Sequence, residues 1–172
     1  IAKVINQHII AMKMILFPPL LLFAALTASA KTGEQFAAPD TVMTATANPL
    51  FTHRYTADPA ALVVGDTFYL YAGEDTGDGR DYNMPNWLVY STNDMKTWTE
   101  HAVPLRPKDF SWAVGNSAWA SQVVAHKGKY YWYVSTEHEN VGGKSGKAIG
   151  VAVSDSPAGP FKAAFGKGLV SN

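Results

Sequence analysis

The segment Thr56–Tyr71 reads TADPAALVVGDTFYLY and decides how the chain folds. Its apolar run Ala60–Val64 and its aromatic run Phe68–Ala72 have the composition of β-strands. A Gly-Asp pair, which is typical of a tight turn, separates them. The pattern predicts an antiparallel β-hairpin, and it places one carboxylate, Asp58, just before the first strand.

Similar runs follow along the chain, separated by Gly, Asp, Asn and Pro. No window after residue 50 shows a sustained helical period. The further strand candidates are Trp87–Ser91, Ser121–Ala125, Tyr130–Ser135 and Ala148–Ser154, and the short runs Thr97–His101 and Phe161–Ala164 would close each set.

These candidates form an internal repeat. A shift of about 62 residues places Phe68–Tyr71 on Tyr130–Tyr133, and one further residue of slip places Trp98 on Phe161. Units of four short antiparallel strands at such a period are typical of β-propeller blades. The sequence therefore predicts an all-β fold with two blades, and two unrelated meanders of similar composition remain the alternative.

The N-terminal part has the layout of a secretory signal peptide. Met12-Lys13 is followed by the apolar run Ile15–Leu26 and by Ala28-Ser29-Ala30, a small-x-small cleavage pattern. The run is shorter than the roughly 20 apolar residues that a membrane span needs, and Pro18-Pro19 interrupts it. We expect a signal peptide over 12–30, a secreted or periplasmic protein, and no membrane partner.

The remaining boundaries follow from composition. Residues 1–11 precede the first methionine and have the character of translated upstream sequence. Residues 31–49 are rich in Ala, Thr and Pro without periodicity, which predicts a flexible lead-in. Residues 50–172 are predicted to form part of one propeller domain.

Composition also excludes several kinds of site. The 172 residues contain no cysteine, so disulfides, thiolate metal sites and cysteine nucleophiles are excluded. The 14 basic and 14 acidic residues balance without a basic cluster, which argues against a nucleic-acid partner.

Two acidic segments contain residue types that can bind metal ions. Asp75–Asp81 lacks the ligand spacing of an EF-hand, which favours a solvated Gly-Asp loop. In Glu137-His138-Glu139, neighbouring strand residues point to opposite faces, so no metal site is predicted. An alternative for Glu137 is that it reaches a pocket from the end of its strand.

Five motifs together resemble glycoside hydrolase family 43, from about Asn48 to the end of the chain. They are ADPA at 57–60, NWLVYSTNDMKTW at 86–98, AWASQVV at 118–124, GKYYWY at 128–133 and SDSPAGPF at 154–161. The resemblance implies a five-bladed β-propeller of which only about the first two blades are present. The family's more common Trp-Ala-Pro-Asp stands here as Trp119-Ala120-Ser121-Gln122, so Gln122 is taken as an ordinary strand residue.

The resemblance implies inverting hydrolysis of O-glycosidic bonds in xylose- or arabinose-containing carbohydrate of the plant cell wall. Asp58 corresponds to the family's general base; the alternative is that it only caps a turn, because Asp-Pro favours turn starts. The pKa-tuning Asp and the Glu general acid come from later blades, and their motifs are not found in this sequence, so the piece is expected to be inactive alone. No cofactor is expected, although the resemblance allows a structural calcium ion in the complete propeller.

Three aromatic residues are candidate sugar contacts. The counterpart of Trp119 in the family lies near the sugar pocket, and an indole face suits the C–H face of a sugar. Trp87 and Tyr82 lie on or beside the long insertion 74–84, which could reach the pocket rim. Ordinary core or surface packing is the alternative for all three.

Three hypotheses for function remain at this point. The first is the secreted glycoside hydrolase, and the second is a non-catalytic carbohydrate-binding propeller with the same aromatic pocket. The third is a propeller for protein contacts, which would carry an apolar rim instead of axial acids.

Overall fold

The computed structural model describes residues 40–141 and 144–172, and these residues form two antiparallel β-sheets. No helix in this part of the chain is long and apolar enough to cross a lipid bilayer. The strands are, in chain order, β1 Thr41–Thr44, β2 Tyr55–Val64, β3 Thr67–Asp75, β4 Asn86–Thr92, β5 Thr97–Glu100, β6 Ala113–Val114, β7 Ser121–His126, β8 Lys129–Val141, β9 Lys144–Ser154, β10 Lys162–Ala163 and β11 Val170–Ser171. A 3₁₀ turn, Pro107–Asp109, lies between β5 and β6.

The first sheet is a meander with one added strand. Its order is β1-β5-β4-β3-β2, so β2 to β5 neighbour each other in chain order and β1 covers the outer edge. The β2–β3 turn is built as the sequence predicts: Gly65 has φ 58°, a left-handed conformation that glycine adopts without a Cβ penalty.

The second sheet repeats this meander. Strands β7, β8, β9 and β10 are neighbours in chain order, while β6 pairs with the far end of β8 and β11 pairs with β9. Strands β8 and β9 form a long hairpin, and their register runs from Tyr130 opposite Ser154 to Val141 opposite Lys144.

The two sheets pack face to face through an inter-sheet core of Tyr71, Trp87, Trp132, Phe161 and further buried side chains. The ring centroids of Tyr71 and Trp132 lie 5.0 Å apart in an edge-to-face arrangement, and those of Trp132 and Phe161 lie 4.9 Å apart. The Tyr71 hydroxyl also donates a hydrogen bond to the Pro157 carbonyl oxygen at 2.7 Å, which ties the sheets together at this core.

The repeat is visible in the packing. On the other face of the first sheet, Trp98 is buried in an outer cluster that Leu70 packs against. In the repeat, Phe161 corresponds to Trp98 and Trp132 corresponds to Leu70, and both Phe161 and Trp132 lie in the inter-sheet core. Equivalent positions therefore present their side chains to the same side of each sheet, which is the arrangement of successive propeller blades. The predicted all-β repeat is confirmed.

Two local predictions are corrected. Within the predicted lead-in, Thr41–Thr44 form strand β1, because their backbone pairs with the otherwise open edge at Thr97–Glu100. Strand β2 begins at Tyr55, so Asp58 lies inside the strand instead of before it. The segments predicted over 1–11 and 12–30 lie outside the described residues.

Candidate active site

The candidate catalytic residue, Asp58, occupies a β-bulge. Ala57 pairs with Gly73 and Ala60 pairs with Tyr71, so Asp58 and Pro59 together oppose a single residue of β3. The φ of Asp58 is 51°, in the left-handed region that residues other than glycine rarely adopt. Bulges and such conformations re-aim side chains and are concentrated at functional sites.

Beside the bulge, the two sheets approach each other closely. The Met84 N–H donates to the Asn116 carbonyl at 2.9 Å, and the Ala118 N–H donates to the Met84 carbonyl at 2.8 Å. A Cβ at position 73 would lie 2.5 Å from the Met84 methyl carbon and would also collide with the Ala118 carbonyl oxygen. Gly73 therefore permits the approach that brings the segment before β7 next to Asp58.

A cleft of about 470 Å³ opens at this junction. It is lined by residues of both sheets, namely Ala57, Asp58, Asp75, Tyr82, Met84, Trp119, Ala120, Ser135 and Lys147. The cleft thus brings together three of the four residues predicted from the sequence, Asp58, Trp119 and Tyr82.

Trp119 is held firmly by its backbone while its side chain is only half-buried. Its N–H donates to the Ser135 carbonyl at 3.2 Å, and the Ser135 N–H donates to the Ala120 carbonyl at 3.0 Å. These bonds extend the pairing of β7 with β8 up to the cleft. An indole fixed in this way at the wall of a cleft presents an apolar surface beside a carboxylate.

Trp87 lies elsewhere. Its side chain is completely buried in the inter-sheet core and does not line the cleft. Its indole N–H donates to the Trp119 carbonyl oxygen at 2.7 Å. The prediction that Trp87 contacts sugar is therefore corrected, because its whole side chain is packed in the core. Trp87 instead stabilises the backbone position of Trp119 through this hydrogen bond.

Tyr82 stands at the rim with 82% of its surface exposed. The base of its loop is closed by the Thr76 N–H, which donates to the Asn83 carbonyl at 2.8 Å. A bond of 2.7 Å from the Asn116 side chain to the Asn83 side-chain oxygen ties the loop to the second sheet. The aromatic ring of Tyr82 is thus displayed to solvent from a loop whose ends are fixed.

Three polar lining residues were missed by the sequence analysis: Asp75, Ser135 and Lys147. Asp75 accepts the Gly77 N–H at 2.9 Å, which closes a local turn at the end of β3. The ammonium nitrogen of Lys147 lies 4.5 Å from the centroid of the Trp119 ring. Asp75 lies at the end of β3, whereas Ser135 and Lys147 reach the cleft through the pairing of β8 with β9, which no local motif signals.

A second polar cluster stabilises the strand that carries Asp58. Arg54, just before β2, forms ion pairs with Glu74 and, at 2.8 Å, with Glu100. Both glutamates are buried. Burial lowers the pKa of Arg54, but the two carboxylates outweigh this effect and raise its pKa overall. His53 lies 2.6 Å from the other oxygen of Glu100.

In the described part of the chain, no three His, Asp or Glu side chains are grouped so as to hold a metal ion. Glu137 does not line the cleft. The Gln122 amide donates to the Val123 carbonyl at 3.2 Å. The chemistry that the cleft offers is therefore that of carboxylates, hydroxyls, one ammonium group and an indole.

Comparison with known proteins identifies the family. The model of "Glycosyl hydrolases family 43" matches residues 46–171. The Xylosidase/arabinosidase 43A of Humicola insolens is 36% identical over 124 residues, which cover 66% of this chain and 36% of that protein. The Xylosidase/arabinosidase of Bacteroides ovatus is 37% identical over 116 residues, covering 62% of this chain and 34% of that protein.

Solved structures agree with these matches. CoXyl43, a GH43 beta-xylosidase/alpha-arabinofuranosidase from a compost microbial metagenome solved in complex with xylotriose, has a TM-score of 0.63 and 36% identity. The similarity covers 74% of this chain and 39% of that one. The GH43_1 enzyme from Xanthomonas citri, complexed with xylose, has a TM-score of 0.63 and 32% identity, covering 73% and 36% of the two chains.

The chain spans about a third of the length of the curated relatives named above. Within that span, the two similar antiparallel sheets and the order of the motifs agree with the family match. The chain belongs to glycosyl hydrolase family 43, and its two sheets are part of that family's β-propeller.

Proposed function

We propose that the protein containing this chain is a secreted glycoside hydrolase that cleaves xylose- or arabinose-containing polysaccharides or oligosaccharides, with Asp58 as its general base. One observation carries the proposal: Asp58 adopts a left-handed conformation in a β-bulge and lines the same cleft as Trp119. The family and the relatives described as xylosidase/arabinosidase support the substrate class.

The cleft can both position the sugar beside this carboxylate and let the carboxylate take a proton from the attacking water. The indole of Trp119 can hold the apolar face of a pentose, which fixes the sugar ring beside Asp58. In its ionised form a carboxylate only accepts hydrogen bonds, so it can take a proton from a water molecule that attacks the anomeric carbon. The C–O bond to the leaving group then breaks, and an acid protonates the departing oxygen.

That acid is proposed to lie outside this chain. Inverting hydrolysis needs two carboxyl groups about 6.5–9.5 Å apart, with room for water between them. In a closed propeller, the inner strands of other blades surround the same axis and can supply acids at the required separation.

Secretion is part of the proposal. The layout of Met12–Ala30 is that of a signal peptide. Relatives from Bacillus subtilis and Thermotoga petrophila are named as extracellular endo-alpha-(1->5)-L-arabinanases, and one from Cellvibrio japonicus as an extracellular exo-alpha-(1->5)-L-arabinofuranosidase. A carbohydrate polymer too large to enter a cell requires an enzyme outside it.

The test is hydrolysis of 4-nitrophenyl β-D-xylopyranoside, 4-nitrophenyl α-L-arabinofuranoside and the corresponding oligosaccharides by the complete protein. Asp58→Asn should lower kcat by at least about 100-fold, in line with loss of a general base, while the thermal unfolding midpoint stays near that of the native protein. Asp66→Asn, at the opposite end of the same hairpin, is the matched control and should retain native turnover.

Near-native turnover by Asp58→Asn would refute the assignment of the base. Binding of the sugars without any turnover by the native protein would instead favour the non-catalytic carbohydrate-binding propeller. The 172-residue chain alone should not hydrolyse any of these substrates, because it lacks the proposed acid.

A further inference from the structure

Lys147 lines the cleft and places its ammonium group against the indole of Trp119. It lines the cleft together with Asp58 and Trp119, and its nitrogen lies 4.5 Å from the centroid of the Trp119 ring. Its backbone is fixed at this place. The Lys147 N–H donates to the Asn172 side-chain oxygen at 2.7 Å, and the Asn172 N–H donates back to the Lys147 carbonyl at 3.2 Å.

The direction of this side chain is informative because a carboxylate stands directly opposite. Glu137 on β8 is the cross-strand partner of Lys147, and side chains at paired positions project to the same face of a sheet. Even so, among the described residues no carboxylate oxygen lies within 4.0 Å of the ammonium nitrogen. The ammonium group lies against the indole at the cleft and forms no surface ion pair with this neighbour.

We propose that Lys147 is a substrate-binding residue of this cleft, whose ammonium group donates hydrogen bonds to hydroxyl groups of the sugar that stacks on Trp119. The inference rests on the proposed function, since it names a further contact at the same site. The carboxylates of Asp58 and Asp75 can only accept hydrogen bonds when ionised, whereas an ammonium group only donates them. Lys147 therefore supplies the donor that these two lining residues lack.

The contact of the ammonium group with the indole leaves it able to take this role. A cation–π contact at an exposed site is weaker than a hydrogen bond to a charged group. An arriving sugar hydroxyl can therefore draw the ammonium group away from the indole, and the flexible lysine stem permits this movement. The indole face that the cation covered then becomes available for the sugar ring.

The experiment compares Lys147→Met, Lys147→Arg and the native sequence in the complete protein. Met keeps an unbranched apolar stem but has no donor, whereas Arg keeps both the charge and the donors. Lys162→Met, on an exposed position of β10 outside the cleft, is the matched control. Kinetics on the 4-nitrophenyl pentosides give KM and kcat, and calorimetry with xylobiose and 1,5-α-L-arabinobiose in the Asp58→Asn background gives Kd without turnover.

Lys147→Met should raise KM and Kd by about tenfold, the effect expected for loss of a charge-assisted hydrogen bond, whereas kcat should change less than KM. Lys147→Arg should recover most of the affinity, and Lys162→Met should match the native protein. Unchanged KM and Kd in Lys147→Met would overturn the inference while leaving Asp58 as the base. Equal losses in the Met and Arg variants would also overturn it, because they would indicate a packing role. Absence of both pentoside hydrolysis and sugar binding in the native protein would overturn the proposed function, and this inference with it.

Discussion

Trp87 donates its indole N–H to the carbonyl oxygen of Trp119 across 2.7 Å, so a buried tryptophan of the first sheet fixes the position of a cleft tryptophan on the second. Trp87 itself has no exposed surface. The bond joins the inter-sheet core to the wall of the cleft, and it makes the geometry of the cleft depend on how the two sheets pack.

Trp87→Phe should therefore destabilise the protein more than the same change at another buried tryptophan. The substitution leaves the Trp119 carbonyl without its donor, and loss of such a hydrogen bond costs about 0.5–1.5 kcal/mol beyond the loss of volume. Trp98→Phe is the control, since the Trp98 indole nitrogen is buried without a hydrogen-bond partner among the described residues. Urea unfolding of both variants measures the difference, and equal losses would contradict the role given to the bond.

Gly73→Ala tests the close approach that builds the cleft. An added Cβ would collide with the Ala118 carbonyl and with the Met84 methyl group, and the carbonyl belongs to the backbone, so a change of rotamer cannot relieve that collision. We expect a loss of about 1–3 kcal/mol in the free energy of unfolding, the usual cost of overpacking. Gly166→Ala, where a Cβ meets no atom within 4 Å, should change this free energy by less than about 0.5 kcal/mol. Similar results for both variants would show that the approach at Gly73 is not tight.

Much of the fold could be predicted because its signals are local. The Gly65-Asp66 turn between two β-type runs fixes the first hairpin, and the equivalence of Trp98 and Phe161 shows the repeat. Strand β1 was missed because Thr41–Thr44 is short, and its pairing partner, β5, lies far along the chain. Pairing between distant segments leaves little trace in a four-residue run.

The site was predictable only in part for the same reason. Asp58 and Trp119 lie in recognisable motifs, whereas Lys147 reaches the cleft through the register of a long hairpin. The sequence predicts a sugar contact for Trp87 because an aromatic residue beside a loop gives the same sequence pattern whether its side chain faces a cleft or the core. Burial depends on the packing of two sheets, which composition does not reveal.

Arg54→Met should destabilise the first sheet strongly. The substitution leaves Glu74 and Glu100 without their shared cation, and both carboxylates are buried. The Arg54 side chain is 32% exposed, so solvent screens these pairs in part, and we expect a loss of about 1–3 kcal/mol, less than for fully buried pairs. Chemical denaturation at pH 7 measures this loss.

The origin of that loss can be separated from packing. Adding Glu74→Gln and Glu100→Gln to Arg54→Met removes the uncompensated charges while nearly conserving volume. If charge is the cause, the triple variant should be more stable than Arg54→Met alone. A further decrease in stability would contradict this cause and would indicate that the glutamates stabilise the sheet through their other contacts, with His53 and Asn86.

Asp94→Asn should change the acid sensitivity of the first sheet at its β4–β5 turn. The Asp94 carboxylate accepts the N–H groups of Lys96 at 2.8 Å and Thr97 at 2.7 Å. These backbone hydrogen bonds lower the pKa of Asp94 to about 2 from its ordinary value of 3.8. Because the pKa is lower in the folded state, the stabilisation is complete above about pH 4 and is lost as the pH falls toward 2. The native protein should therefore exceed Asp94→Asn in urea midpoint at pH 6, and this gap should close between pH 4 and pH 2. A gap that stays constant over that interval would show that the charge of Asp94 does not stabilise the turn.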